Sequence, residues 1–280
     1  MNTEIKIYEA GGQRQSLFRM MKAMFVDLKN STGLAKRLFI RDRKAEYRQS
    51  FLGILWALFT PLMNSAVWIF LSTSGAIVLS DTGLPYPVYV LIGTLMWAVF
   101  TEAVNMPLIQ TNNSKALLTK VNFEKESIIL AGTYNILFNL IFKFIVIAIL
   151  LIIFQVTISW HILLIIPLIF LMISFGVSFG LIITPIGMLY KDIAKVVPLV
   201  LNLLMYVTPV VYKETKIKAL ENILQYNPLA PIITNIRNFL TGGYVENISF
   251  VLITSLATFI LLFIGWMIYR ISIPIIVERM

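Results

Sequence analysis

From Phe51 onward the chain alternates between long apolar runs and short polar connections, six runs in all. The runs cover roughly residues 51–79, 87–110, 127–155, 161–188, 193–212 and 246–273. At about 1.5 Å per residue, each is long enough to cross about 30 Å of hydrocarbon as a helix. The pattern predicts an all-α polytopic membrane protein with six transmembrane helices. The connections read SDTGLPYP, TNNSKALLTKVNFEKE, VTISWH and YKDIAK, followed by a long segment over 213–245.

Upstream of the runs the pattern changes. Residues 1–50 form a polar, charged region set apart from the spanning domain at 51–280. Leu17, Met20, Met21, Met24 and Leu28 recur at helical spacing, which predicts a short amphipathic helix before a break at Gly33. A second amphipathic helix follows. Lys36, Arg37, Arg41, Arg43, Lys44 and Arg48 fall on one half of its wheel, with Leu34, Leu38 and Ala45 opposite. Ala35 and Phe39 widen the apolar flank, and Ile40 and Tyr47 interrupt the basic face. A basic amphipathic helix leading through Gly53 into a span is expected along the cytoplasmic membrane surface.

Charge then orients the chain. Lys and Arg crowd the first fifty residues and recur at Lys115, Lys120 and Lys125, at Lys191 and Lys195, and at Arg270 and Arg279. The first and third connections carry none, so both termini are expected in the cytoplasm. With 13% charged and 58% hydrophobic residues, the net charge of +9 points to lipid phosphates and not to nucleic acid. Without cysteine, and with His161 the single histidine, thiolate chemistry and a histidine metal site are excluded. No cleavable signal peptide is apparent at the N-terminus.

The 213–245 segment breaks the charge pattern with Lys213, Lys216, Lys218 and Arg237. It holds two short apolar pieces, ALENILQY and PLAPIITNIRNFL, separated by Asn227-Pro228 and closed by Gly242-Gly243. Two arrangements fit: a re-entrant extracytoplasmic helical hairpin, surrounded by protein or water, or a hairpin lying on the outer surface.

Polar residues inside the spans also keep helical spacing. Trp56, Thr60, Asn64, Trp68 and Ser72 step by four; Asn135, Asn139 and Lys143 do the same; Pro198, Asn202 and Tyr206 form a shorter series. The first stripe suits core packing or, through its aromatic faces and amide, sugar rings. The second span adds Trp97, Thr101, Glu102 and Asn105. A lone charge in hydrocarbon costs about 2.5–3.5 kcal/mol on insertion scales. Glu102 and Lys143 are therefore expected to face protein or water, and antiparallel helices would bring them together, either as a structural pair or beside a polar conduit.

The sequence holds no GxxxxGK[ST] phosphate loop, no HExxH, no GxSxG and no cluster of carboxylates within the spans. The chain is thus read as a non-enzyme. Its 111–126 connection places Leu117, Leu118, Val121 and Phe123 among Lys115, Lys120, Glu124, Lys125 and Glu126. That mixture fits an amphipathic helix docking on a soluble motor, or an ordinary charged loop.

A set of short motifs runs in order through the chain: Arg41-Asp42, Tyr47-Arg48, Leu52-Gly53, Trp56, Pro61, the LLTKVNFEKE loop, Tyr190-Lys191-Asp192, Thr208-Pro209-Val210, Asn227-Pro228 and Arg237. Together they resemble the permease subunit of type-two ABC exporters, in the polysaccharide, O-antigen and teichoic-acid export branch. Two positions depart from that pattern, Glu46 in place of a basic residue and Glu124 in place of a proline. The resemblance implies a homodimer in the cytoplasmic (inner) membrane with two copies of a separate ATPase subunit, which would bind the ATP and magnesium. The cargo it implies is a glycan on undecaprenyl pyrophosphate. Arg41, Arg43, Tyr47 and Arg48 would form the gate for its headgroup, since arginine offers phosphate a planar fork. Trp56, Thr60, Asn64, Trp68, Asn202 and Tyr206 would line the conduit. Lys115, Leu118, Lys120, Phe123, Glu124, Lys125 and Glu126 would receive the stroke of the ATPase.

Three alternatives remain. A drug or small-lipid exporter would share the fold. A membrane enzyme acting on isoprenoid phosphates would need acidic or histidine clusters at the cytoplasmic face, where only Glu102 is on offer. A secondary transporter should show two related halves, and no internal repeat is evident.

Overall fold

A computed structural model describes residues 17–48, 55–75, 83–212, 226–241 and 243–278, with side chains at 17–20, 46–48, 57 and 241 left aside. Among the described residues every regular element is a helix. In chain order these are α1 (Leu17–Asn30), α2 (Thr32–Arg48), α3 (Trp56–Thr73), α4 (Tyr86–Asn113), the single turn α5 (Lys115–Leu118) and α6 (Glu126–Ile153). A 3₁₀ turn over Trp160–Leu164 then opens α7 (Ile165–Leu189), followed by α8 (Ile193–Val207), α9 (Leu229–Thr241) and α10 (Ile248–Glu278).

The six apolar runs correspond to α3, α4, α6, α7, α8 and α10. By length and composition, α4, α6, the 3₁₀ turn with α7, and α10 are able to cross a membrane, whereas α3 and α8 are shorter than the runs containing them. For α8 the reason is local. Pro209 disfavours helical backbone at the residue before it, and Thr208 is extended at φ −96° and ψ 144°. The break expected at Gly33 also moves: α1 ends at Asn30, Ser31 turns, and Gly33 lies inside α2. Gly53, most of the ALENILQY piece, and with it the first arm of the expected hairpin, lie outside the described residues.

The core is built around α4, whose residues Val88 to Trp97 are buried without interruption. A helix buried on every side must be apolar all round, and α4 is enclosed by α3, α6, α7 and α8. Its contact with α7 is set by small residues. A Cβ built on Gly180 would stand 2.4 Å from the Val104 carbonyl oxygen, and one on Gly176 2.7 Å from the Ala103 methyl. Glycines four apart let two helix backbones touch, which is how membrane helices gain packing without a hydrophobic driving force. Outside this centre, α10 lies along α7, and α2 lies along α6.

The second piece of the 213–245 segment is α9. It buries Ile232, Ile233, Ile236 and Leu240 against α7, the 3₁₀ turn, α4 and α10. Asn235 clips the returning chain by donating Nδ2 to the Glu246 carbonyl at 2.8 Å and accepting the Glu246 N–H at 2.7 Å.

Candidate functional site

Between α2, α4 and α6 lies a cavity of about 750 Å³. Helix α4 lines it with Glu102, Asn105, Met106, Ile109, Gln110 and Asn113. The steps of three and four make one continuous stripe. Helix α2 contributes Arg41, Asp42 and Arg43, and α6 contributes Gly132, Asn135 and Asn139.

The arginines of α2 divide into two kinds. Arg43 was expected on the basic face but is buried. Its Nε donates to Asn135 Oδ1 at 2.9 Å, its Nη2 to Asn139 Oδ1 at 2.7 Å, and its guanidinium lies 4.7 Å from the Phe138 ring centre. Position 43 sits at the border of the two faces, so a long side chain reaches inward and fastens α2 to α6. Arg41 remains about half exposed and pairs with Asp42 at 2.7 Å. Gln110 Nε2 donates to the other Asp42 oxygen, which pins α2 to α4. Tyr47 and Arg48 belong to the last turn of α2, with side chains outside the described residues.

Glu102 lines the cavity from α4. One carboxylate oxygen accepts from Lys143 Nζ at 2.6 Å, and the other from Asn139 Nδ2 at 2.6 Å. The pairing expected from sequence is therefore present, and it joins α4 to α6. Glu102 and Asn105 also line a second cavity of about 260 Å³, together with Thr60 and Asn64 of α3, Asn202 of α8, and Lys143. Three of the six expected conduit residues thus meet around one carboxylate. Two more meet each other, since the Trp68 and Tyr206 rings lie 6.3 Å apart and bring α3 and α8 together. Trp56 stands apart, exposed beside Phe59. Trp97 Nε1 and Thr101 Oγ1, one turn apart on α4, line the second cavity, are buried there, and have no partner among the described residues.

The 111–126 connection keeps its expected mixture but sorts it. Leu118 is buried, Lys115, Phe123 and Glu124 are partly covered, and Lys120 is exposed. Lys125 Nζ donates to Asn122 Oδ1 at 3.1 Å, and partial burial holds its pKa below the usual lysine value. Glu126 turns inward. Its carboxylate accepts from Arg270 at 2.6 Å and from Trp266 Nε1 at 3.2 Å, and Arg270 also pairs with Asp27 of α1. Charge counting along the chain could not find this link, because Asp27, Glu126 and Arg270 are far apart in sequence.

Arg237 explains the charge that broke the topology pattern. Its guanidinium is buried on α9, lies 3.7 Å from the Tyr89 ring centre, and donates to the Pro209 carbonyl at 2.9 Å and to the Val210 carbonyl. These carbonyls follow the proline break after α8 and have no helical donor of their own. Gly93 on α4 makes room for the clamp, since a Cβ there would collide with Arg237 and the Val210 oxygen. Arg237→Ala leaves two buried acceptors unpaired, at about 1–3 kcal/mol each. The expected result is a lowered unfolding temperature in detergent, with Arg237→Lys recovering little of it because an ammonium lacks the fork. Equal melting of Arg237→Ala and the parent protein would contradict this account.

Two polar-lined cavities, one under α2 and one among α3, α4, α6 and α8, thus adjoin at Glu102 and Asn105. The chain is 24% identical over 206 residues to the O-antigen export system permease protein RfbA of Myxococcus xanthus, an alignment covering 72% of this chain and 78% of that one. A Klebsiella pneumoniae protein of the same name is 25% identical over 233 residues, covering 82% and 88% respectively. The profile of the ABC-2 type transporter family matches residues 34–241, the stretch holding α2, both cavities and the Arg237 clamp. The chain belongs to the ABC-2 type transporter family, whose members are multi-pass membrane subunits of transporters.

Proposed function

We propose that this chain is the permease subunit of an ATP-driven exporter moving undecaprenyl-pyrophosphate-linked polysaccharide, of O-antigen, capsule or teichoic-acid type, across the cytoplasmic membrane. One observation carries the reading: the cavity under α2 adjoins, at Glu102 and Asn105, the smaller polar cavity of α3, α4 and α8. A charged headgroup entering at Arg41 finds the polar side chains of Asn105, Glu102 and Asn64 along this line. The names of the O-antigen relatives supply the cargo class.

In this reading two copies assemble, α3 and α8 of each facing a shared conduit, with two ATPase subunits beneath the 111–126 connections. Both termini are cytoplasmic, α3 and α8 complete a set of six spans, and the 213–245 segment is re-entrant. The burial of α9 among α4, α7 and α10 supports that last point. Lys115, Lys120 and Glu124 are the coupling residues placed to meet a partner, while Glu126 transmits force into α10 through Arg270.

A drug or small-lipid exporter is favoured by an apolar cleft of about 790 Å³ between α4, α7 and α8 that includes Phe100, Phe175 and Phe179. Purification of the tagged chain separates the readings. It is expected to bring down a soluble ATPase whose activity rises with lipid-linked glycan and not with small apolar drugs. Stimulation by drugs alone, or ATP hydrolysis by the isolated chain, would sink the proposal.

A further inference from the structure

We infer that the cavity beneath α2 reads the first sugar of the cargo, and not only its phosphates. The inference rests on the exporter reading above and adds a recognition element to it. Among the described residues, the cations lining the cavity, Arg41 and Arg43, come from α2. The facing walls carry amides: Asn105, Gln110 and Asn113 on α4, and Asn135 on α6.

Each of these amides keeps hydrogen-bonding capacity. Asn105 donates Nδ2 to the Thr101 carbonyl at 2.8 Å, which leaves its Oδ1 uncommitted among the described residues. Gln110 uses Nε2 on Asp42 and retains Oε1, and it is 5% exposed. Asn135 accepts from Arg43 through Oδ1 and retains Nδ2. Both ends of the Asn113 amide are uncommitted among the described residues. The wall therefore offers fixed acceptors and donors side by side. Ring hydroxyls, which both donate and accept, match that pattern, and phosphate oxygens, which only accept, do not. The volume of about 750 Å³ is in the range of pockets that enclose a small ligand.

Position gives the order of recognition. Arg41 and Asp42 lie on the α2 wall, and Asn105 lies beside Glu102, where the first cavity meets the second. A pyrophosphate held at Arg41 places the attached sugar against Asn105, Gln110 and Asn113. A wall of amides gains hydrogen bonds to ring hydroxyls only when the sugar is present, which is the basis of the discrimination.

The test uses the full chain with its ATPase partner in nanodiscs, titrated with undecaprenyl pyrophosphate with and without a single N-acetylhexosamine. The sugar-bearing lipid is expected to bind about tenfold more tightly, the value of roughly two neutral hydrogen bonds. In Asn105→Ala/Asn113→Ala protein that ratio is expected to fall to about one. Arg41→Gln is expected to weaken both lipids while keeping their ratio. Equal binding of the two lipids by the parent protein, an unchanged ratio in the double variant, or loss of both lipids together in it would each overturn the inference. Failure of the parent protein to bind either lipid would instead remove the exporter reading beneath it.

Discussion

Protein carrying Arg41→Gln together with Arg48→Gln is expected to assemble with its ATPase and export nothing measurable. The two positions lie on the face of α2 turned away from Ala35 and Leu38, which α2 buries. Charge-assisted hydrogen bonds contribute about 1.5–3 kcal/mol each. Removing two arginines would thus weaken phosphate capture by at least a hundredfold, on the order of 3–6 kcal/mol. Assembly is expected to survive because Arg43, left in place, fastens α2 to α6 through Asn135 and Asn139. The check is an export assay run beside co-purification of the ATPase. Normal export by the double variant would remove the headgroup role from α2. Arg43→Gln should behave differently, loosening α2 and lowering thermal stability before any transport step is measured.

The second large effect lies at Glu102 and Lys143. Lys143 is 1% exposed, so Glu102→Leu strands an ammonium in the protein interior. Breaking a buried pair from one side costs about 3–5 kcal/mol, whereas replacing both partners by apolar residues of similar volume is often neutral. Glu102→Leu is therefore expected to express poorly and melt early, and Glu102→Leu/Lys143→Met to recover the parent unfolding temperature. Export by the double variant then separates the two roles. Restored export makes the pair structural. A stable protein that cannot export makes Glu102 part of the route, as its place between the two cavities argues. A double variant as unstable as the single one would contradict the pairing.

Much of this arrangement was legible in the residues. The apolar runs located the long helices because the bilayer demands length and oiliness before anything else. The stripe of Asn135, Asn139 and Lys143 announced a polar face, and the cost of an isolated charge required a partner, which Glu102 supplies. The steps of four through Thr60 and Asn64, and through Asn202, marked faces that meet. What escaped the sequence depended on tertiary distance. A wheel assigns Arg43 to the basic face by its angle, yet its reach lets it cross the border into α6. The α4 stripe was read only as far as Asn105, because Gln110 and Asn113 fell at or beyond the expected end of the span. Arg237 was recognisable as an anomaly, but the Pro209 and Val210 carbonyls it serves lie 28 and 27 positions away.

The brevity of α8 has a mechanical consequence for the surrounding bilayer. Its 15 residues rise about 22 Å, against roughly 30 Å of hydrocarbon. If α8 spans as proposed, the hydrocarbon beside its outer face must thin to match it, at a strain of only fractions of a kcal/mol per Å. That thinned layer would lie beside the helix that contributes Asn202. On the proposed route, a charged headgroup passing α8 would face a shorter dielectric barrier than about 30 Å of hydrocarbon sets.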